Sequence, residues 1–260
     1  MGKDGSNEPL WLRSGDYQVN VMPSAYNLEP EGKVKVSNSA RVPARAYLLA
    51  THLPQALTMV VLAAAVSLAL GLTGWNILFV IIATASGQAS VGWVNDLLDA
   101  QVDRSLGRKT KPVVSHFLNP EKLKLPITIS LLLAIPFSFL AAGWVGGLAH
   151  LGAIGSAQLY NRYLSRTVWS WLPYAISFSL LPIFCWQAAS RDLWPSCNIV
   201  LISSLVGIIA HLFNALPDLE LDKRVGYGGL AVYLGKKKSL VLLAILSLAL
   251  VALLVQLLVG

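Results

Sequence analysis

Charge is scarce in this sequence. Only 13% of its 260 residues are charged, while 55% are hydrophobic and the mean hydropathy is +0.61. A soluble globular domain carries roughly 25% charged residues, so the composition indicates a polytopic membrane protein instead. Cysteine is nearly absent: Cys185 and Cys197 could pair, but isolated apolar cysteines are more often simply packed.

Long runs without charge divide the chain into predicted helices. They cover residues 46–95, 125–161, 167–190, 193–217 and 239–260. A membrane helix needs about 20 apolar residues, so the first two runs hold two helices each, broken near 71–74 and 143–147. The sequence therefore predicts an all-α membrane bundle of about seven helices over 46–260. Residues 1–45 are polar, lack the apolar segment of a signal peptide, and are predicted to form a mostly disordered tail.

The basic residues are distributed unequally across this arrangement. Of the 20 Lys and Arg residues, all but Arg191 fall on one side of the predicted helices. The positive-inside rule then places the tail in the cytoplasm and the carboxyl terminus outside, in a multi-pass protein of the cell membrane. This bias explains the net charge of +7, which therefore gives no support to nucleic-acid binding.

Two polar segments repeat one pattern. NDLLDAQVDRSLG at 95–107 and NALPDLELDKRVG at 214–226 share an Asn, two Asp, a base and a Gly at a constant offset of 119 residues. Each segment follows an even-numbered predicted helix, and four helices separate the two. The five matches at one offset indicate an internal duplication, and because four is an even number both segments must emerge on the same face of the membrane.

The spacing of the acids favours a metal site over ordinary solvated loop acids. Positions 96, 99 and 103 share one helical stripe, as do 218 and 222, and like charges there repel unless a cation lies between them. Ionisable groups at membrane depth are costly and usually functional. Oxygen ligands without matching His or Cys favour Mg²⁺. The candidate catalytic and metal-binding residues are Asp96, Asp99, Asp103, Asp218 and Asp222.

These paired motifs, the bases and Lys111-Pro112 after the first motif, and the segment YNRYLSR at 160–166 resemble the UbiA superfamily of intramembrane prenyltransferases. The resemblance implies a helical bundle around a cavity. Mg²⁺ and an isoprenyl diphosphate are held at its cytoplasmic mouth, and the prenyl tail lies among the helices. The diphosphate leaves, and an acceptor attacks the allylic cation. In many members that acceptor is an aromatic ring, as in quinone-type lipid biosynthesis.

The resemblance also assigns roles to other polar residues. The residues expected to contact the diphosphate are Asn95, Arg108, Lys111, Arg166 and Lys223, and those expected near the acceptor are His52, Tyr160 and Asn214. Members of the superfamily usually have nine spanning helices. Seven helices ending at residue 260 lead us to expect that the last two are missing.

Several alternatives remain at this point. A membrane terpene cyclase uses the same ionisation but closes the cation on itself, and a truncated chain could bind prenyl lipids without turnover. Intramembrane alcohol phosphotransferases also use Asp-rich helices, but their Asp-Gly and Ala-Arg pattern is not found at the matching places. Transporters place ionisable groups near the bilayer midplane, whereas these acids lie at predicted helix ends.

Overall fold

The computed structural model describes residues 26–28, 34–36, 43–116, 118–224 and 226–259. The chain divides into two compact units, Met1–Arg41 and Val42–Gly260. In the first unit, strand β1 (Tyr26–Leu28) pairs in antiparallel register with strand β2 (Val34–Val36). The rest of the predicted disordered tail lies outside the described residues, apart from 43–45, where the first helix begins.

The second unit is entirely helical in its described residues. Its α-helices are α1 (Ala44–Leu49), α2 (Leu53–Ala69), α3 (Trp75–Ser105), α4 (Pro112–Ser115), α5 (Lys124–Leu159), α6 (Leu172–Ala189), α7 (Cys197–Ala215), α8 (Leu219–Arg224) and α9 (Leu230–Val259). Short 3-10 turns cover Pro120–Leu123 and Val168–Trp171, and a π-helical turn at Tyr160–Leu164 follows α5.

Two of these helices reverse direction at a glycine. Within α5, Gly143 has φ 62° and ψ −164°, and the Oγ of Ser138 lies 2.7 Å from Nδ1 of His150. Twelve residues of straight helix would separate those side chains by about 18 Å, so the two halves of α5 lie antiparallel. Gly235 acts in the same way in α9, because Ser239 hydrogen-bonds the carbonyl of Ala231.

The predicted membrane helices are confirmed as helices. Five described helical segments are long and apolar enough to cross a membrane, and one of them, Pro120–Leu164, contains the reversal at Gly143. Because this segment counts as two helices, the five segments contain six, and the shorter apolar helix α2 is the seventh. The breaks predicted near 71–74 and 143–147 occur at Gly71, Gly74 and Gly143, each with positive φ.

Two other breaks were not predicted. The first helix bends between α1 and α2, where His52 adopts φ 56° and ψ 55° and Pro54 begins the next turn. The second motif was expected at the end of one continuous helix, but α7 ends at Ala215 and Asp222 lies on the separate helix α8. Pro217 explains this break, since its ring clashes with the preceding turn and it has no N–H to donate.

The internal duplication is visible in the backbone. After the first motif, Gly107 has φ 59° and the N–H of Arg108 donates to the carbonyl of Asp103 at 3.0 Å. At the 119-residue offset, Gly226 has φ 76° and Tyr227 donates to Asp222 at 2.8 Å. Both segments thus close with the same glycine-terminated helix cap, a conformation that favours glycine.

Helix α3 carries the first motif and packs mainly against α5. It packs against α2, α5 and α6, while α6 packs on α7 and α7 on α9. At one end, Phe184 and Cys185 are buried in an apolar core with Val80. At the other end, Leu118 and Leu123 are buried beside the last turns of α3. The two cores hold both ends of α3 in place, and its polar carboxyl-terminal turns carry the first motif.

Candidate functional site

Asp96 is fully enclosed at the site. It is 0% exposed, and its Oδ1 lies 2.7 Å from Nζ of Lys111 and 3.0 Å from Nε2 of His52. Lys111 also donates to Oδ1 of Asn95 at 2.9 Å and lies 3.0 Å from Nε2 of His52. The bend at His52 and the turn at Lys111-Pro112 therefore converge on the first motif.

Asp99 lies on the neighbouring side of α3 and connects to a different helix. Asn95 donates to its Oδ2 at 3.1 Å, and the guanidinium of Arg166 donates to its Oδ1 at 3.0 Å. Arg166 follows the π-helical turn after α5. This pair brings the segment 160–166, which the resemblance marked as functional, against the first motif.

Arg108 joins the two motifs. One of its terminal nitrogens lies 3.3 Å from Oδ1 of Asp103, and the other lies 3.4 Å from Oδ1 of Asp222. Asp103 is fully buried and Asp222 is 25% exposed. The prediction that both motifs meet at one end of the bundle agrees with this contact. Burial raises the pKa of Asp222 above its ordinary value, nearby Asp218 raises it further, and Arg108 opposes both effects.

The remaining part of the second motif is open. Asn214, Asp218 and Lys223 are exposed. The carbonyl of Asp218 accepts a hydrogen bond from the N–H of Asp222 at 2.8 Å, so Asp218 stands where an N-cap stands at the start of α8.

Tyr160 lies between the acids and the interior of the bundle. Its ring packs edge-on against Tyr174 at 5.2 Å and 6.1 Å from the ring of His211. It is close enough to Asp99 and Asp222 to interact with both electrostatically. Asn214 is in hydrogen-bonding reach of the Tyr174 hydroxyl. The sequence had marked Tyr160 and Asn214 but not Tyr174, which carries no motif of its own.

A second residue missed from the sequence is Tyr227. The guanidinium of Arg166 lies 4.2 Å from the centre of its ring, and Gly228 donates to the carbonyl of Arg166 at 3.2 Å. Desolvation raises the pKa of Tyr227, and Arg166 opposes this shift. The 119-residue repeat offered a signal, because Tyr227 occupies the position equivalent to Arg108.

The acids are suitable ligands for a hard divalent cation. Oδ2 of Asp96 and Oδ2 of Asp103 are buried without a hydrogen-bond partner in the described part of the chain. Oxygen donors of this kind fit Mg²⁺. In the described residues, however, no three carboxylate, imidazole or thiolate side chains converge on one point. The sequence predicts that five acids bind the metal; in the structure Asp96 pairs with Lys111, Asp99 pairs with Arg166, and Arg108 pairs with both Asp103 and Asp222.

An apolar cavity lies inside the bundle. It is bounded by α2, α3, α5 and α6, with Met59, Val91 and Leu181 in its wall. Along α3, positions 88, 91, 95 and 99 follow at intervals of three and four residues, so Gln88 and Val91 of the wall share a face with the first motif. The wall therefore begins about 6 Å below Asn95 and extends deeper.

These features define a polytopic helical membrane protein with a duplicated acidic and basic site at one end. The model of the UbiA prenyltransferase family matches residues 53–260. The chain therefore belongs to the UbiA prenyltransferase family, as the motifs indicated. No curated protein matches the chain.

Solved structures share the fold. A UbiA homolog from Archaeoglobus fulgidus bound to GPP and Mg²⁺ is 20% identical with a TM-score of 0.69, and the match covers 80% of this chain and 76% of that one. The apo structure of a UbiA homolog from Aeropyrum pernix K1 is 18% identical with a TM-score of 0.59, covering 82% and 78%. A structure of digeranylgeranylglyceryl phosphate synthase is 19% identical with a TM-score of 0.62, and the match covers 80% of this chain and 75% of that one.

Proposed function

We propose that this protein transfers an isoprenyl group from a prenyl diphosphate to an acceptor in a Mg²⁺-dependent reaction. The observation that carries the proposal is the bridge from Asp103 through Arg108 to Asp222, which brings two duplicated acidic segments to the mouth of one bundle. Family membership and the GPP and Mg²⁺ bound by the Archaeoglobus homolog support the same reaction.

In this proposal the acidic side chains bind Mg²⁺, which binds the donor's diphosphate, and the basic side chains contact the diphosphate directly. The proposed ligands of the metal are Asp96, Asp99, Asp103, Asp218 and Asp222, with Asn95 beside them. Bound Mg²⁺ supplies a Lewis acid that stabilises negative charge on the phosphate oxygens as the diphosphate leaves. Arg108, Lys111 and Arg166 already lie among the acids, so small side-chain movements bring their charge to the phosphates; exposed Lys223 provides a further cation.

The hydrocarbon tail of the donor enters the apolar cavity. The wall residues Gln88 and Val91 share a face of α3 with Asn95 and Asp99, so a chain anchored by its diphosphate at the acids runs along this face. Burying the tail removes its apolar surface from water, and it also excludes water from the reacting carbon. The allylic cation is consequently protected from hydrolysis.

The acceptor approaches from the side of His52, Tyr160 and Asn214. The ring of Tyr160 faces Tyr174 and His211, and together these rings provide an aromatic wall near Asp99 and Asp222. Such a wall stabilises an electron-poor cation through its π-systems and stacks with a flat acceptor. We propose an aromatic acceptor of the kind used in quinone-type lipid biosynthesis.

A product assay tests this function. Purified protein in lipid nanodiscs is incubated with Mg²⁺, prenyl diphosphates of several lengths and a panel of aromatic acceptors, and products are identified by mass spectrometry. We expect a prenylated acceptor, formed with Mg²⁺ and abolished by EDTA. A cyclic hydrocarbon formed without acceptor would indicate a cyclase, and binding without any product would indicate an inactive prenyl-lipid binder.

A further inference from the structure

Lys111 is enclosed by polar atoms of the first motif and of the bend before it. Its ammonium nitrogen lies 2.7 Å from Oδ1 of Asp96, 2.9 Å from Oδ1 of Asn95 and 3.0 Å from Nε2 of His52. An ammonium group has three N–H donors, so these contacts use all of them. The side chain of Lys111 is only 17% exposed and that of Asp96 is fully buried. Salt and water therefore screen the attraction between the two charges only weakly.

The duplication provides this pair in one half of the site only. The positions that follow the three contacting side chains by 119 residues carry no charge; they are Trp171, Ala215 and Leu230. The second half nevertheless forms the same glycine-terminated cap and keeps its outer acids, of which Asp218 is exposed. A helix end of this kind thus folds without a built-in ammonium, and the pair of Lys111 with Asp96 needs another explanation.

A divalent cation at Asp96 meets the charge of Lys111. Oδ2 of Asp96 is buried and has no hydrogen-bond partner among the described residues, so it is the oxygen that remains for a metal ion. The ammonium at Oδ1 and a metal ion at Oδ2 share one carboxylate and repel each other at short range. A diphosphate adds negative charge that attracts both cations. The two cations consequently oppose each other when alone and are compatible once a diphosphate is bound.

We propose that Lys111 makes the binding of Mg²⁺ and the binding of the prenyl diphosphate depend on each other. This inference deepens the proposed function and rests on it, because it concerns how the same site fills. The ammonium held at Asp96 weakens the binding of Mg²⁺ alone. When the diphosphate binds, the ammonium turns to a phosphate oxygen and Asp96 is left to the metal. The coupling is reciprocal, so bound metal raises the affinity for the diphosphate by the same factor.

Equilibrium binding without turnover tests the proposal. Mn²⁺ replaces Mg²⁺, and its binding to full-length protein in zwitterionic nanodiscs is followed by electron paramagnetic resonance. Geranyl S-thiolodiphosphate, whose carbon–sulfur bond resists ionisation, replaces the donor. Without it, we expect Lys111→Met to bind Mn²⁺ about tenfold more tightly than the wild type, the effect typical of removing one charged contact. At saturating Mn²⁺, the same variant should bind the thiolodiphosphate about tenfold more weakly, because one phosphate contact is lost.

The matched control is Lys109→Met, because Lys109 is exposed and lies two residues before Lys111. It removes the same charge from the same loop and should change either affinity by less than about twofold, as expected for a solvated charge. Equal affinity of Lys111→Met and the wild type for Mn²⁺ alone would overturn the proposal. Weaker binding of both ligands by Lys111→Met would also overturn it, since Lys111 would then only hold the site together.

Thermal unfolding of the same samples gives a second measurement. Removing the ammonium leaves a buried carboxylate unpaired, so Lys111→Met should be less stable than the wild type without metal and should gain more stability from Mn²⁺. Equal stabilisation of both proteins would contradict the coupling. If Lys111→Met does not fold, Lys111→Gln removes the charge but keeps a neutral donor and should change both affinities in the same directions.

Diphosphate release from geranyl diphosphate by the wild type is measured separately, so that the coupling and the proposed function can fail independently. Turnover by the wild type together with unchanged affinities in Lys111→Met would overturn the coupling alone. The two opposite changes in affinity without turnover of any prenyl diphosphate would support the coupling and contradict the proposed function.

Discussion

Arg108 contacts one acid of each motif. Its planar guanidinium presents separate donors to Asp103 and Asp222, at 3.3 Å and 3.4 Å. A lysine would present one compact nitrogen to both acids in place of two separate nitrogens in a planar fork. Arg108 is therefore the residue through which the two halves of the duplication act together.

Replacing Arg108 tests this role. We expect Arg108→Ala to lower Mg²⁺-dependent diphosphate release by about 10²-fold, the loss typical of removing one group that stabilises a transition-state charge. Arg108→Lys should recover only part of the rate, because it restores the charge but not the bridge. Steady-state kinetics of diphosphate release provide the measurement.

The control is the neighbouring Lys109→Ala, since Lys109 is exposed. It removes one positive charge from the same turn without breaking the bridge. If Lys109→Ala reduced the rate as strongly as Arg108→Ala, the general positive charge of the loop would be the cause, and the bridge would have no special role.

The pKa of Asp222 leads to a prediction on pH. Burial and Asp218 raise this pKa, so a proton occupies the carboxyl at a pH where an exposed Asp is ionised. Because Mg²⁺ binds the ionised form, we expect its apparent affinity to rise with pH through the raised pKa, by at most about tenfold per pH unit for one proton. Isothermal titration of Mg²⁺ between pH 5 and 7.5 measures this. A rise for Asp222→Asn as steep as that of the wild type would contradict it.

At the residue scale the acids could be predicted but their partners could not. The spacing of Asp99, Asp103 and Asp222 was readable because helical periodicity and the 119-residue offset act along the chain. Arg104, equally close to the acids in sequence, turns away and donates to the carbonyl of Leu118. Which base meets which acid depends on contacts between distant loops, such as the one that places Arg166 over Tyr227.

At the scale of elements, α3 and the bend between α1 and α2 must approach closely. A Cβ placed on Gly92 would lie 2.7 Å from Cα of Thr51, inside any normal contact. Thr51 precedes His52, which contacts Asp96. The site thus depends on a glycine in the middle of α3. Shifted by 119 residues, Gly92 corresponds to His211 and Thr51 to Ser170. His211 and Ser170 also contact each other, so the repeat contains the same contact between elements.

We expect Gly92→Ala to destabilise the protein by about 1–3 kcal/mol, the usual cost of inserting a methyl group into a packed contact. The backbone of Thr51 has to move, which carries His52 away from Asp96. Thermal unfolding in detergent measures the stability. Gly155→Ala is the matched control, because a Cβ there meets nothing within 4 Å and alanine favours a helix. Equal loss in both variants would show that the contact with Thr51 is unimportant.

Helix ends marked by glycine were predicted better than bends made by proline. The reversals at Gly74 and Gly143 fall within uncharged runs too long for one helix, so length alone required them. The bend before Pro54 and the break at Pro217 left each run at a plausible length. The prolines carried a signal, but whether a proline bends or ends a helix depends on how the neighbouring helices pack.

For the whole molecule, the charge bias predicts that the acidic site faces the cytoplasm. We expect a cysteine at Lys109, beside the first motif, to resist a membrane-impermeant maleimide in intact cells. A cysteine at Asp192, in the loop at the opposite end of the bundle, should react. Cys185 and Cys197 are free thiols and are replaced by serine beforehand. The reverse labelling pattern would contradict the predicted orientation.

The fold class and the family were readable from the sequence because both depend on repeated local patterns. The apolar runs required a helical bundle, and the duplicated motifs resemble the family whose model matches residues 53–260. The cavity and the position of His150 in its wall could not be read, since they arise from the packing of α2, α3, α5 and α6 against one another.

The central claim is that two acidic segments form one Mg²⁺-dependent site for a prenyl diphosphate. Its most direct test is diphosphate release from geranyl diphosphate by wild type, Asp99→Asn and Asp218→Asn, with Asp192→Asn as control. Asp218 is exposed, so its replacement should leave the fold intact. We predict that release requires Mg²⁺, is lost in both motif variants and persists in the control. Undiminished release by either motif variant would contradict the claim.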